Sequence, residues 1–140
     1  MDLKPVSNDL EIVAGILDRC HRHFAAMVDS ISRSRLDAAE NTLREAEAAC
    51  DGAGLELREL GERAPSGTGT ALGRLLPPAR EANDLQRRIL VASGKAISMK
   101  KSGEIYLYDE AYKELEAVVA TYNFKINQLQ STGQDIQSLR

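Results

Sequence analysis

Two cysteines and two histidines are the residues whose types and spacing could do chemistry: Cys20, His21, His23 and Cys50. Thiolates and imidazoles are suitable ligands for zinc, which typically takes four ligands, or three and a water. If the chain turns near residues 34 and 35, Cys20 and Cys50 lie opposite each other, because each is 15 residues from position 35. His23 is then one turn from Cys20, and His21, a glutamate or a second chain would have to supply a fourth ligand. Under oxidation the two thiols could instead join as a disulfide, if their geometry allows.

The ordinary interpretation of the same cysteines is packing, because a free cysteine among leucines and alanines behaves as a small buried hydrophobe. No Cys-x-x-Cys pair is present, and neither are a glycine-rich phosphate loop after a strand, a Gly-x-Ser-x-Gly motif or the Glu-x-x-His pairs of a di-iron bundle. The abundant carboxylates alternate with lysines and arginines, as on solvated helix faces. The sequence therefore predicts a protein that is not an enzyme, with no catalytic residue, cofactor or metal.

The length and charge of the chain bear on its domain number and on the partners it can bind. The 140 residues suffice for one domain, residues 1–140, and a net charge of −3 argues against general affinity for nucleic acid or anionic membranes. Residues 1–5 contain no apolar run of signal-peptide length, and the apolar run at residues 89–92 is too short to span a bilayer. We therefore expect a cytoplasmic protein that binds neither nucleic acid nor membrane, with both cysteines reduced.

Apolar residues recur at alternating steps of three and four along the chain, the spacing of an amphipathic helix. The first stripe is Leu10, Val13, Leu17, Cys20, Phe24, Met27 and Ile31, widened by Ile12, Ile16 and Val28. A five-residue step to Leu36 predicts a turn at residues 32–35, after which Ser34 caps a second helix. The second stripe is Leu36, Ala39, Leu43, Ala46, Cys50, Ala53, Leu57 and Leu60. Glycine lowers helix propensity, so a kink near Gly52 is one alternative.

The second half of the chain is punctuated by glycine and proline. The sequence predicts a linker at residues 64–70 and a short helix at residues 71–76 that ends at Pro77 and Pro78. The third long helix is then predicted to start at about Pro78. A joint at residues 100–104 precedes a fourth helical stripe. Residues 105–108 belong either to that helix or to a short extended piece, with Asp109 as the following cap. Residues 131–140 are expected to fray.

Short joints between long amphipathic helices favour antiparallel neighbours. The predicted fold class is therefore all-α, an antiparallel bundle of about four amphipathic helices. The alternative is an elongated helical hairpin that dimerises through an exposed seam, which would make a homo-oligomer.

Charge is distributed unevenly between the middle segments. Residues 37–62 hold eight acidic and two basic residues, a balance of −6, whereas residues 74–101 hold seven basic and two acidic residues, a balance of +5. We expect two solvated helix faces that attract each other; the alternative is that the basic segment contacts an acidic partner.

The third helix carries more apolar residues than its stripe needs. Leu90 and Ile97 lie seven apart on a flanking face with Val91 nearby, so they either complete the core or form an apolar groove for a partner helix. Tyr106 and Leu107, beside the joint, form a second candidate surface, because tyrosine is common at interfaces. These five residues are the predicted partner-binding site, and the predicted partner is a helical protein.

Between residues 76 and 90, Asn83 and Gln86 precede the apolar pair Ile89 and Leu90. This pattern, after a long helical hairpin, resembles the small bacterial helical chaperones of flagellar and type III export, of the FlgN type, although Gln86 stands where that family tends to have a second asparagine. The resemblance covers about the first two thirds of the chain. It implies a non-enzymatic role, in which the apolar face of the third helix shields an aggregation-prone helix of an export substrate. A self-associating coiled-coil protein is the alternative function, and a Cys/His thiol or metal-binding bundle is a third.

Overall fold

The computed structural model describes residues 4–63 and 71–138. Within these ranges every regular secondary-structure element is an α-helix. The helices are α1 (Lys4–His21), α2 (Phe24–Ser32), α3 (Leu36–Arg63), α4 (Ala71–Lys101) and α5 (Ile105–Ser138). α1 and α2 together occupy the first predicted segment, so four segments pack on one another as the predicted all-α bundle requires. The linker predicted at residues 64–70 lies outside the described residues.

The first segment is interrupted at Arg22 and His23, where the sequence predicts one continuous helix. The His23 amide donates to the carbonyl of Cys20, three residues back, at 3.2 Å, so the last turn of α1 is tightened. The predicted apolar stripe survives this break, because Cys20 and Phe24 on either side of it are both buried. Ile12 is an exception, since 47% of its surface is exposed and it does not widen the buried stripe.

The two tight turns of the bundle use left-handed residues. Ser34 has a φ of 61°, and the amide of Arg35 donates to the carbonyl of Ser30 at 2.8 Å, the six-to-one bond of a Schellman motif. Gly103 has a φ of 75°, and Glu104 makes the equivalent bond to Met99 at 3.2 Å. Ser34 therefore closes α2 rather than capping α3, which corrects the sequence-based prediction.

α4 runs as one helix through Pro77 and Pro78, so the predicted stop at these prolines is wrong. Each proline removes an intrahelical donor and crowds the preceding turn, which costs about 3 kcal/mol or more in a helix interior. Leu75, Leu76 and Ala79 are buried on both sides of the pair. Burial of these side chains offsets the local cost, because tertiary packing routinely overrides helix propensity.

α3 and α5 are also continuous. α3 passes through Gly52 without a break, and α5 begins at Ile105, so the alternative of an extended piece at residues 105–108 is wrong. The Schellman turn at Gly103 returns the chain directly into helix, which leaves no room for a strand. α5 continues as helix to Ser138 and includes most of the segment expected to fray; fraying there stays a prediction.

α4 is the central helix of the bundle. Lys95 pairs with Glu114 (3.4 Å) and Glu81 with Lys125 (2.6 Å), which sets α5 antiparallel to α4. The Gln86 side chain donates to the Leu17 carbonyl, and the Lys100 side chain donates to the Ile31 carbonyl. Both bonds join residues 69 positions apart, so α1 and α2 run parallel to α4.

One cluster of buried residues joins all five helices. Its members are Val13, Ile16, Leu17, Cys20, Phe24, Met27, Ile31, Ala39, Ala46, Cys50, Ala53, Leu57, Leu75, Leu76, Ala79, Ala82, Leu85, Ile89, Leu90, Ala92, Ala96, Ile97, Ala111, Leu115, Tyr122 and Leu129. Four of the α4 residues in this cluster are alanines, and their short side chains let the neighbouring helices approach closely. Among the described residues, no helix combines the length and apolarity needed to cross a membrane.

Candidate functional site

The two cysteine side chains lie together in the core between α1 and α3. Both residues are fully buried, and both thiols are free. The Sγ atom of Cys20 lies 3.5 Å from the backbone carbonyl oxygen of Ala46. Asn83 of α4 donates through Nδ2 to Sγ of Cys50 at 3.5 Å and to its carbonyl oxygen at 3.4 Å. The predicted opposition of Cys20 and Cys50 therefore exists, and Asn83 joins it.

A chain of hydrogen bonds extends from this thiol pair across the bundle. Asn83 Nδ2 donates to Oε1 of Gln86 at 3.1 Å, and Nε2 of Gln86 donates to the Tyr122 hydroxyl at 3.0 Å and to the carbonyl oxygen of Leu17 at 2.8 Å. The Tyr122 hydroxyl lies 2.8 Å from Nδ1 of His21. The Tyr122 hydroxyl therefore joins the Gln86 amide to the His21 ring. We call Cys20, Cys50, Asn83, Gln86, Tyr122 and His21 the polar network.

Burial and hydrogen bonding shift the acidities within the network. The hydrogen bond from the Cys20 thiol lowers the pKa of Cys50, with burial acting against the shift and the nearby Arg87 guanidinium supporting it. The same hydrogen bond, together with burial, raises the pKa of Cys20. Burial also raises the pKa of Tyr122, partly opposed by the hydrogen bond from Gln86. Cys50 is therefore the more acidic thiol, and Tyr122 stays neutral at physiological pH.

The two imidazoles do not join the thiols as ligands. His23 Nδ1 faces Glu45 at 3.9 Å, and His21 Nδ1 is engaged by Tyr122. In the part of the chain that the structure describes, no group of three or more histidine, cysteine, aspartate or glutamate side chains could hold a metal ion. The arrangement of two thiolates with His23 that the sequence raised is therefore not formed, whereas the thiol pair is.

An open apolar groove runs between α2 and α5 and has a volume of about 740 Å³. α5 packs along α4 and contacts α1, whereas α2 and α5 make little or no direct contact within the described residues. The groove is lined by His21, Arg22, Phe24, Ala25, Val28, Asp29, Ser32, Tyr112, Leu115, Glu116, Val119, Ala120, Tyr122 and Asn123. We call this surface the α2–α5 groove. Because Tyr122 and His21 belong to both features, the polar network ends at the wall of the groove.

The structure separates the five residues predicted to bind a partner. Leu90 and Ile97 are buried, with 7% and 3% exposure, so they complete the core. Val91 (74%), Tyr106 (87%) and Leu107 (46%) are exposed. Val91 lies level with about residue 117 of α5, which places it about 16 Å along the helix axis from Tyr106. Tyr106 and Leu107 instead adjoin the exposed Ile105 at the start of α5.

The oppositely charged middle segments attract each other, as the sequence predicts. Lys101 of α4 pairs with Asp37 (3.4 Å) and Glu40 (2.5 Å), and Arg87 with Asp51 (3.7 Å). These partners are largely exposed, and solvent screens their attraction, so each pair contributes little to stability. The pairs therefore orient α3 against α4 more than they stabilise the bundle.

Sequence reasoning missed both the polar network and the α2–α5 groove. A signal for the network was present, since the buried polar residues Asn83, Gln86 and Ser93 share one face of α4 at steps of three and seven. No comparable signal marks the groove, because Leu115, Val119 and Tyr122 follow the same spacing as any core stripe. Compared with known proteins, the chain matches no family model and no curated sequence.

Proposed function

We propose that this protein is a non-enzymatic binding protein that seats an amphipathic helix of a partner protein in the α2–α5 groove. The observation that carries the proposal is the groove itself, an apolar gap between two helices at the place where a regular bundle would close. An export chaperone or adaptor of the cytoplasm would use such a groove to shield a partner helix, in line with the resemblance to export chaperones of the FlgN type.

The dimensions of the groove suit a helix. Between Tyr112 and Tyr122 its α5 wall covers ten steps along the helix, or about 15 Å, which corresponds to almost three helical turns. Half of a helix about 10 Å wide and 15 Å long occupies roughly 600 Å³, close to the volume of the groove. The lining residues Tyr112, Leu115, Val119 and Tyr122 recur at steps of three and four, the pattern that receives an amphipathic helix.

The rim of the groove specifies the charge of the occupant. Asp29 of α2 and Glu116 of α5 flank the end away from His21. Asp29 already pairs with Arg33 at 3.0 Å, whereas Glu116 makes no ion pair within the described part of the chain. A lysine or arginine on the partner helix would satisfy Glu116. The proposed partner is therefore a helix with an apolar face of about three turns and a basic residue at its edge.

Two alanines of α5 provide a matched test of the groove. Ala120 lines the groove and is exposed, and Ala117 is exposed on the same helix outside the groove. A photo-crosslinking amino acid placed at position 120 in the native host should capture a partner, and at position 117 it should not. Mapping the crosslinked peptide should show apolar residues at steps of three and four with a neighbouring lysine or arginine.

Three outcomes would contradict the proposal: equal capture from both positions, no capture from position 120, or a crosslinked peptide without helical apolar spacing. A crosslink from position 120 to a second copy of this chain, with a dimer in light scattering, would favour the self-associating coiled-coil function instead. The partner identified in this way should no longer co-purify with Ala120→Arg, which fills the groove without emptying the core, and should still co-purify with Ala117→Arg.

A further inference from the structure

We propose that Cys20 and Cys50 form a reversible intramolecular disulfide that joins α1 to α3 when the protein meets a hydroperoxide. This inference does not depend on the groove or on any partner. It makes the thiol pair a redox modification site rather than a packing detail.

The placement of the two sulfur atoms carries the proposal. Sγ of Cys20 lies 3.5 Å from the carbonyl oxygen of Ala46 on α3. Ala46 is one helical turn before Cys50 on the same helix, so Cys20 lies opposite Cys50 along α3. The two thiols are close enough that each shifts the pKa of the other. Both cysteines are fully buried, and the imidazoles of His21 and His23 contact other side chains. Cys20 Sγ contacts the Ala46 carbonyl and Cys50 Sγ contacts Asn83.

The helix spacing is compatible with a bridge. Ala46 and Ala53 flank Cys50 on the buried face of α3, and short side chains allow helix axes to approach to about 8–10 Å. With Cα atoms about 2.3 Å from each axis, facing Cα atoms then lie roughly 3.5–5.5 Å apart, which overlaps the range of about 4.4–6.8 Å found in disulfides. Rotation about the two side chains, rather than movement of helices, brings the sulfur atoms together.

The surroundings assign different roles to the two sulfurs. Asn83 donates to the sulfur of Cys50, and the Arg87 guanidinium contributes a positive field, both of which favour a thiolate there. Cys20 donates its proton to neighbouring acceptors and is the less acidic thiol. Cys50 is therefore the attacking sulfur and Cys20 the resolving one.

The reaction balances with a hydroperoxide as the oxidant. The Cys50 thiolate attacks one oxygen of the O–O bond, forming a sulfenic acid, and the other oxygen leaves as water after taking up a proton. The Cys20 sulfur then attacks the Cys50 sulfur, the S–O bond breaks, and the departing hydroxide leaves as water with the proton of Cys20. Two thiols and one molecule of hydrogen peroxide thus give one disulfide and two molecules of water. A small oxidant reaches the pair through local opening of the bundle.

The test oxidises the full-length reduced protein with hydrogen peroxide and follows its intact mass. The expected product has lost the mass of two hydrogen atoms, remains monomeric, has no titratable thiol and regains both thiols with a dithiol reductant. In Cys20→Ser the Cys50 sulfenic acid should persist and be trapped by a dimedone-type reagent. In Cys50→Ser, labelling of Cys20 should be at least about ten-fold slower, because burial still disfavours its thiolate and the Asn83 amide faces position 50 instead.

Several results would overturn the inference. These are addition of oxygen atoms without loss of hydrogen, an intermolecular disulfide as the main product, unreacted thiols, or equal labelling of the two single variants. Circular dichroism checks that each variant is folded; where a buried serine unfolds the chain, alanine at the same position replaces it, since alanine leaves no unpaired hydroxyl.

Discussion

Gln86 is the residue on which the polar network should depend most. Its side chain is fully buried and makes three hydrogen bonds, to Asn83 at 3.1 Å, to the Leu17 carbonyl at 2.8 Å and to Tyr122 at 3.0 Å. Gln86→Leu keeps the volume and removes all three. At about 1 kcal/mol for each neutral buried hydrogen bond, the loss is about 3 kcal/mol. Burial of the apolar leucine side chain returns about 1 kcal/mol, so the free energy of unfolding should fall by about 2 kcal/mol.

Urea denaturation followed by far-ultraviolet circular dichroism measures this change. The midpoint should fall while the dependence of the unfolding free energy on urea stays constant, because the surface exposed on unfolding is the same. Gln130→Leu is the matched control, since Gln130 is exposed on α5 and its replacement should change stability by at most about 0.5 kcal/mol.

A double-mutant cycle with Tyr122→Phe sharpens the test. If the Gln86–Tyr122 hydrogen bond is formed, the double variant should be about 1 kcal/mol more stable than the sum of the two single losses predicts. A Gln86→Leu protein as stable as the wild type, or more stable, would refute the reasoning. That result would mean that burying the amide costs as much free energy as its three hydrogen bonds return, as happens in some buried polar networks.

Three further predictions concern turns, titration and the thiol pair. Ser34→Gly should stabilise the fold by about 0.5–1 kcal/mol, because φ is 61° at Ser34 and glycine adopts this region without strain; urea denaturation checks it, and a loss of stability would show that the serine side chain matters more than its backbone. Burial raises the pKa of Tyr122 in the folded state, so the folded chain holds the hydroxyl proton more tightly than the unfolded chain does. The resulting contribution to the free energy of unfolding is fully present below the ordinary tyrosine pKa of 10.0 and is lost as the pH rises above it. Stability should therefore fall more steeply at alkaline pH in the wild type than in Tyr122→Phe, and parallel pH profiles would contradict the burial of the hydroxyl. The Cys20–Cys50 disulfide closes a loop of about 30 residues and should raise the free energy of unfolding by about 3–4 kcal/mol relative to the reduced protein; a smaller or negative change would indicate a strained bridge.

Local rules were enough for the fold class. The three-and-four spacing from Leu10 to Ile31 and from Leu36 to Leu57 depends only on neighbours along one helix, and it predicts the buried faces that the structure shows. The same spacing, with a turn near residue 35, brought Cys20 and Cys50 together. This inference succeeded because helices of regular rise and a short turn leave few ways to align two segments.

Local rules failed where a distant contact outweighs a local preference. Pro77 and Pro78 favour a helix stop, but burial of Leu75, Leu76 and Ala79 on the two sides keeps α4 continuous, and this gain exists only once the other helices are present. Ser34 is a different case, because the competing contacts are all local. Serine is a common helix cap, yet Ser34 is the left-handed residue of the turn in which the Arg35 amide donates to the Ser30 carbonyl.

By itself, the sequence determined that the chain is helical and which face of each helix is apolar. It also predicted that the thiols of Cys20 and Cys50 lie opposite each other between the first two segments. Only the tertiary structure decided that Leu90 and Ile97 belong to the core, that Gln86 links Tyr122 to the thiol pair, and that α2 and α5 leave a groove. The physical reason is that helical periodicity states which side of a helix is apolar, whereas the choice of neighbour on that side depends on how all the helices share a limited interior volume.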